Sequence, residues 1–194
     1  MKFKLGFPAE LPMMLKKPSK LSLPVKEIYI AATLLGFFMM LPAMYTLWRI
    51  QWSDSIVFGL FTASTVFPLL GAMVATVVAH ELCHLLAHPY FGFTRKSYVG
   101  IDKKTGFAYA QYLGAVTKLH FFVIGLAPLI IGTVLPFWMA TLYPEWASFL
   151  AFVSIFNAVG AAGDVFIVLI VWRAVPNNMH LQGFCFGDLS KNQD

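Results

Sequence analysis

The sequence predicts an all-α membrane protein with four transmembrane helices and a small cytosolic β-hairpin between the second and third helices. Of its 194 residues, 59% are hydrophobic and only 12% are charged, and the mean hydropathy is +0.72. These values lie far outside the range of a soluble domain. Four runs nearly free of charge are each long enough to cross a bilayer, and short polar segments between them hold the Lys and Arg residues.

The first 26 residues are rich in lysine and proline. The lysines are Lys2, Lys4, Lys16, Lys17, Lys20 and Lys26, and the prolines are Pro8, Pro12, Pro18 and Pro24. Proline removes a backbone donor and breaks helices, and no cleavable signal peptide is recognisable. We therefore expect residues 1–26 to form a cytosolic or interfacial N-terminal arm.

The four predicted spans cover residues 28–48, 56–88, 119–142 and 146–172. Together they make a membrane core over residues 27–175, and residues 176–194 are expected to form a cytosolic tail. Between the second and third spans, two runs rich in β-formers flank the polar turn 102–106, which predicts a hairpin at about 96–112.

Thirteen of the fourteen Lys and Arg residues fall on one side of these spans, and only Arg49 falls on the other. The positive-inside rule places both termini and the hairpin in the cytosol. The net charge of +5 suits an anionic lipid bilayer as the partner. No nucleic-acid partner is expected.

A His-Glu-x-x-His motif, His80-Glu81-Leu82-Cys83-His84, lies near the end of the second run. On a helix, His80 and His84 lie one turn apart and can share one Zn²⁺, while Glu81 beside them can take a proton from water. Ionisable groups in an apolar span are costly and usually functional. The alternative is a satisfied polar cluster without a metal.

A catalytic zinc site generally has three protein ligands, and Asp164 is the leading candidate for the third. Apart from Glu81 it is the one carboxylate inside an apolar run, although it could instead bond neighbouring backbone or hydroxyl groups. His88 is eight residues from His80, about 12 Å along a helix, too far to share the same ion. We expect His88 to support the site or substrate by hydrogen bonding, or to lie at the interface.

Asn157 lies two turns before Asp164 on the same helical face. It could bind a substrate carbonyl, steady the ligands, or join membrane helices as small polar residues do. The edge of the hairpin could bind an extended substrate as an added strand, or the hairpin could merely cap the membrane surface.

These residues resemble a family of small bacterial membrane proteins classed as zincin peptidases. The resemblance rests on the histidine motif at the end of a membrane helix, Phe91-Gly92 soon after, and Asn157 with Gly163-Asp164 in a late span, and it covers roughly residues 25–175. More distantly, they are similar to site-2 proteases, intramembrane zinc enzymes that cut membrane-spanning substrates near the cytosolic side. The resemblance implies His80, His84 and Asp164 as zinc ligands, Glu81 as catalytic base, and a bacterial cytoplasmic membrane.

The sequence therefore predicts a zinc metalloprotease that hydrolyses peptide bonds of membrane-associated or membrane-spanning substrates near the cytosolic side. The alternative is a metal-binding membrane adaptor or transporter, which would keep the ligands but need no base. The presence of Glu81 favours the enzyme.

Overall fold

The computed structural model describes residues 1–6, 13–21, 25–53, 65–103 and 106–189. Most of these residues are helical. The helices are α1 (Val25–Leu35), α2 (Leu41–Gln51), α3 (Val66–Ala87), α4 (Lys118–Leu129), α5 (Leu135–Leu142), α6 (Ala147–Gly160) and α7 (Ala162–Ala174). Short π-helical segments, Gly36–Met40 and Ile130–Val134, join α1 to α2 and α4 to α5, so each pair forms one rod.

Three helical stretches are long and apolar enough to cross a membrane: Lys26–Gln51, Phe67–Ala87 and Lys118–Leu142. They match the first three predicted spans, although the first part of the second, residues 56–64, lies outside the described residues. Large apolar side chains such as Phe38 (74% exposed) cover their surfaces, as is typical of helices that face lipid.

The predicted fourth span is not one straight helix. Pro144–Gly160 and Ala162–Ala174 together are long and apolar enough to cross, but they meet at a bend of 41°. Ala161 ends α6, and the small side chains around it leave room for the chain to change direction. The rod of α1 and α2 packs closely here, since a Cβ on Gly36 would lie 3.0 Å from the carbonyl oxygen of Val159.

The predicted predominance of helices is confirmed, but the described residues also form two sheets, so the fold is not all-α with a single hairpin as predicted. The strands are β1 (Lys2–Leu5), β2 (Leu15–Lys20), β3 (Ser97–Ile101), β4 (Ala108–Tyr112), β5 (Val116–Thr117), β6 (His180–Gln182) and β7 (Cys185–Leu189). The hairpin sheet has the order β1-β3-β4, and the four-stranded sheet has the order β2-β7-β6-β5.

The predicted hairpin is present as β3 and β4, which pair antiparallel from Ser97↔Tyr112 to Ile101↔Ala108. Two residues of its turn, Lys104 and Thr105, lie outside the described residues. The N-terminal arm adds β1 parallel to β3, and β2 pairs antiparallel with β7 from the C-terminal tail. The arm and the tail therefore share their backbone hydrogen bonds with the rest of the molecule.

A buried lysine fixes the end of α7 beneath the four-stranded sheet. Lys118 Nζ donates to the carbonyl oxygens of Trp172 (2.9 Å) and Val175 (2.7 Å) and to Asn177 Oδ1 (2.9 Å). A cation at a helix C-terminus satisfies the last carbonyls and complements the helix dipole. Because α4 packs against both α3 and α7, this contact helps to hold α7 beside the histidine helix.

Candidate metal centre

Side chains from two helices converge at the candidate centre. His80 and His84 project from α3 with ring centroids 5.0 Å apart, and Asp164 lies in the first turn of α7. Asp164 Oδ2 is 3.0 Å from His80 Nε2, and Oδ1 is 3.4 Å from His84 Nε2. One ligand atom from each residue lies within 4.8 Å of the other two.

The hydrogen bonds of the two imidazoles assign their tautomers. His84 Nδ1 lies 2.8 Å from the carbonyl oxygen of Ile124, which can only accept, so this nitrogen carries the hydrogen. His80 Nδ1 lies 3.1 Å from Asn157 Oδ1. Nε2 of each ring is therefore the nitrogen that faces Asp164, and its lone pair is the one that a metal ion would take up.

Asn157 is held so that its oxygen faces His80. Its Nδ2 donates to the carbonyl oxygen of Pro128 (2.8 Å) and to Thr133 Oγ1 (2.9 Å). Because the Pro128 oxygen can accept but not donate, the amide orientation is fixed by this contact. Asn157 is buried (3% exposed), and it links α6, α4 and the π-helical segment after α4 to the first histidine.

The donor set fits a zinc ion. Two imidazole nitrogens and one carboxylate oxygen are acceptors, and a cation between them would remove their mutual repulsion. Metal-ligating histidines usually donate their other N–H to a carbonyl or carboxylate oxygen, which is what His80 and His84 do with Asn157 and Ile124.

Glu81 lies beside this group, on the side of the hairpin sheet. The backbone of Ala110, in β4, lies next to its carboxylate, and His84, His80 and Asp164 are its titratable neighbours. The carboxylate can therefore accept a proton close to the three convergent atoms.

A cavity of about 190 Å³ opens beside the centre. His84 and Asp164 reach one end of it, and its other walls come from β4, α4, α7 and the turn between β6 and β7. The lining is mostly apolar, as in Phe121, Ile167, Val168 and Phe184. Such a cavity is large enough for an apolar side chain next to the centre.

His88 does not join the convergent group. It lies one residue beyond the candidate span Phe67–Ala87, is 3% exposed, and its Nδ1 is 3.3 Å from Ser97 Oγ in β3. Burial, followed by the nearby His84 and His120, lowers the pKa of His88 to about 4, so its ring is neutral. It connects the end of α3 to the hairpin sheet.

The groups that orient the ligands are not recognisable in the sequence. The carbonyl oxygens of Ile124 and Pro128 belong to the backbone, so residue type carries no signal for them. Gly132 is a partial signal, because a Cβ there would lie 2.6 Å from the Asn157 side chain. A glycine in an apolar span often marks such a close approach.

Comparison with known proteins gives one family match. A family model described as "Putative zincin peptidase" matches residues 73–179, which includes both histidines, Glu81, Asn157 and Asp164. No curated protein and no solved structure matches the chain. The family implies zinc and a metallopeptidase. Since the match covers more than half of the sequence, the chain belongs to this zincin peptidase family.

Proposed function

We propose that the protein is an intramembrane zinc metalloprotease that hydrolyses peptide bonds in membrane-associated or membrane-spanning substrates near the cytosolic side. The observation that carries this proposal is the convergence of His80, His84 and Asp164 next to the Glu81 carboxylate and the outer edge of β4. In this reading the protein works in the manner of site-2 proteases.

His80, His84 and Asp164 would hold the ion, and Glu81 is the general base. When bound, zinc supplies Lewis-acid polarisation of the scissile carbonyl and makes water more acidic. The Glu81 carboxylate accepts the proton of the attacking water and returns it to the leaving amine. Ala110 of β4 lies beside this carboxylate, so the base is next to the strand edge where a substrate would lie.

The outer edge of β4 is suited to bind an extended peptide. Leu113 N donates to Lys96 O, and Asp102 N donates to Phe107 O. With the observed register, these bonds mean that Ala108, Ala110 and Tyr112 direct their N–H and C=O groups away from β3. No other strand among the described residues pairs with this edge, so a substrate strand could add here beside Glu81.

The membrane setting is part of the proposal. Three helical stretches, or four with the bent pair, are suited to cross a bilayer, and the distribution of Lys and Arg supports cytosolic termini. His80, His84 and Glu81 are in the last two turns of α3, on the side where the hairpin sheet lies. The site would therefore open at the inner boundary of the membrane, where water can reach it.

The test is the Glu81→Gln variant, purified beside wild type. Gln is isosteric and can hold water, but it cannot accept a proton. We expect unchanged zinc content and thermal stability, with cleavage of a membrane-spanning test substrate lowered by about 100-fold or more. Glu145→Gln is the matched control, since Glu145 is exposed and far along the chain from the site.

Three other results of this experiment would each change the conclusion. Undiminished cleavage by Glu81→Gln eliminates the proposed mechanism. Loss of zinc in this variant would make Glu81 a ligand. Full zinc content in a wild-type protein that cleaves none of the membrane-spanning substrates tried would support the adaptor or transporter instead.

A further inference from the structure

The hairpin sheet has two chemically different faces. Residues that are partners across the strands point to the same side of a sheet, and successive residues of a strand alternate. The register aligns Phe3 with Val99 and Ala110, and Leu5 with Ile101 and Ala108. The opposite face carries Lys2, Lys4, Tyr98, Tyr109 and Gln111.

The apolar face points toward the ends of the membrane helices. Ser97 and Tyr112 belong to this face by the same alternation, and both contact His88 at the end of α3. Ser97 Oγ lies 3.3 Å from His88 Nδ1, and the Tyr112 ring centroid is 5.6 Å from that of His88. This part of the face covers α3.

The remainder of the face extends beyond α3 and is uncovered by the described residues. Phe3 is 68% exposed, Leu5 57% and Ile101 43%. At the tip of the hairpin, Phe107 belongs to the opposite face by the same alternation, and its ring stacks on Tyr29 at a centroid distance of 6.1 Å. Tyr29 is in the first turns of the candidate span Lys26–Gln51, so the sheet lies level with the ends of two spans.

We propose that the exposed apolar face of the hairpin sheet, formed by Phe3, Leu5 and Ile101, rests on the lipid bilayer. An element with apolar residues on one side and lysines on the other lies in the interface plane with its apolar side in the lipid. The exposed part continues the part of the same face that covers the end of α3 through Ser97 and Tyr112, so it extends beside that helix end over the membrane surface, which favours lipid over a soluble partner. This inference rests on the proposed membrane location and not on the peptidase activity.

Docking of this face on the bilayer would also fix the position of β4 relative to the membrane surface. β4 belongs to the same sheet, and the backbone of its Ala110 lies next to the Glu81 carboxylate. A sheet supported by lipid holds the open edge of β4 at the membrane surface, where the segments next to a substrate's membrane span emerge.

The test uses probes along β1 in the full chain, reconstituted in nanodiscs of phosphatidylcholine and phosphatidylglycerol. In a Cys83→Ala, Cys185→Ser background, single cysteines at positions 2, 3, 4 and 5 carry a bimane fluorophore. Quenching by a nitroxide lipid should be several-fold stronger at positions 3 and 5 than at 2 and 4, and quenching by aqueous iodide should show the reverse order. The Lys2 and Lys4 positions are matched controls on the same strand.

A probe at Phe38, which is 74% exposed in the first candidate span, reports insertion itself. If the lipid nitroxide fails to quench it, the membrane location is wrong and the docking with it. If it is quenched but positions 2 to 5 do not alternate, the docking alone is wrong. Peptide cleavage is assayed separately, so its failure leaves this result standing.

Gly100→Ala supplies a second variant. A Cβ on Gly100 would collide with the carbonyl oxygen of Lys4, so β1 should detach and the alternation at positions 2 to 5 should disappear, while the Phe38 probe stays quenched. Gly71→Ala is the control, because nothing lies within 4 Å of a Cβ there. Alternation that persists in Gly100→Ala would show that the pattern does not come from the sheet, and would overturn the proposal.

Discussion

At the scale of single residues, the candidate centre combines side chains that the sequence pattern predicts with contacts that only the folded structure defines. The spacing of His80 and His84 corresponds to one turn of helix. A carboxylate in an apolar run is recognisable because burying its charge costs free energy, so such a residue usually has a function. The structure brings Asp164 to both histidines. The carbonyl oxygen of Ile124 and the orientation of Asn157 could not be predicted, because they depend on which helices pack together.

Zinc content tests the ligand set directly. We expect His80→Ala, His84→Ala and Asp164→Ala each to lower the zinc bound by the purified protein sharply, because three ligands are the usual minimum of a catalytic zinc site. Metal analysis by mass spectrometry measures the zinc content of each purified variant. Asp188→Ala is the control, since Asp188 is exposed in β7, and full occupancy in Asp164→Ala would place the third ligand elsewhere.

Asn157 should act through His80. Asn157→Leu removes the acceptor for His80 Nδ1, and loss of such a partner typically weakens metal binding on the order of 10- to 100-fold. Gly132→Ala should change affinity in the same direction, because its Cβ would displace the Asn157 side chain. Competition with a zinc chelator gives the affinities, and Gly71→Ala provides the reference for a glycine with free space around it. Unchanged affinity in Asn157→Leu would make that residue only a link between helices.

At the scale of elements, the long apolar helices were predictable and most of the strands were not. Long apolar runs identify spans by composition alone, whereas β5 and β6 have only two and three residues. In β2, Pro18 sits where the register shifts between Lys16 and Ser19, and proline argues against a strand when only the sequence is available. The bend between α6 and α7 was missed because small residues permit a change of direction without requiring it.

The open edge of β4 allows a sharp test of substrate binding. The amide of Ala108 points away from β3, so Ala108→Pro removes one outward donor while leaving the pairing with β3 intact. We expect several-fold slower cleavage with normal zinc content and thermal stability. Ala108→Val adds side-chain bulk but keeps the amide, and it should cleave at the wild-type rate. If the proline variant also cleaves normally, the hairpin serves only as a cap.

At the scale of the whole molecule, the proposed topology predicts opposite accessibility for two exposed residues. Lys103, in the hairpin turn, should face the cytosol, and Glu145, between α5 and α6, should face the outside. In the Cys83→Ala, Cys185→Ser background, a membrane-impermeant maleimide added to intact cells should label a cysteine at position 145 and not one at 103. Labelling at 103 would overturn the orientation.

The four-stranded sheet joins β2, at residues 15–20, to β7, at residues 185–189, and this pairing constrains how the protein is synthesised. On the ribosome, β2 emerges before β7 and has to wait unpaired while the intervening helices are made. An unpaired strand invites wrong partners. Lys16, Lys17 and Lys20, together with Pro18 at the register shift, are features that discourage such pairing. Closure of this sheet therefore has to follow the synthesis of the helices between β2 and β7, and the long loop that it closes makes this pairing slow.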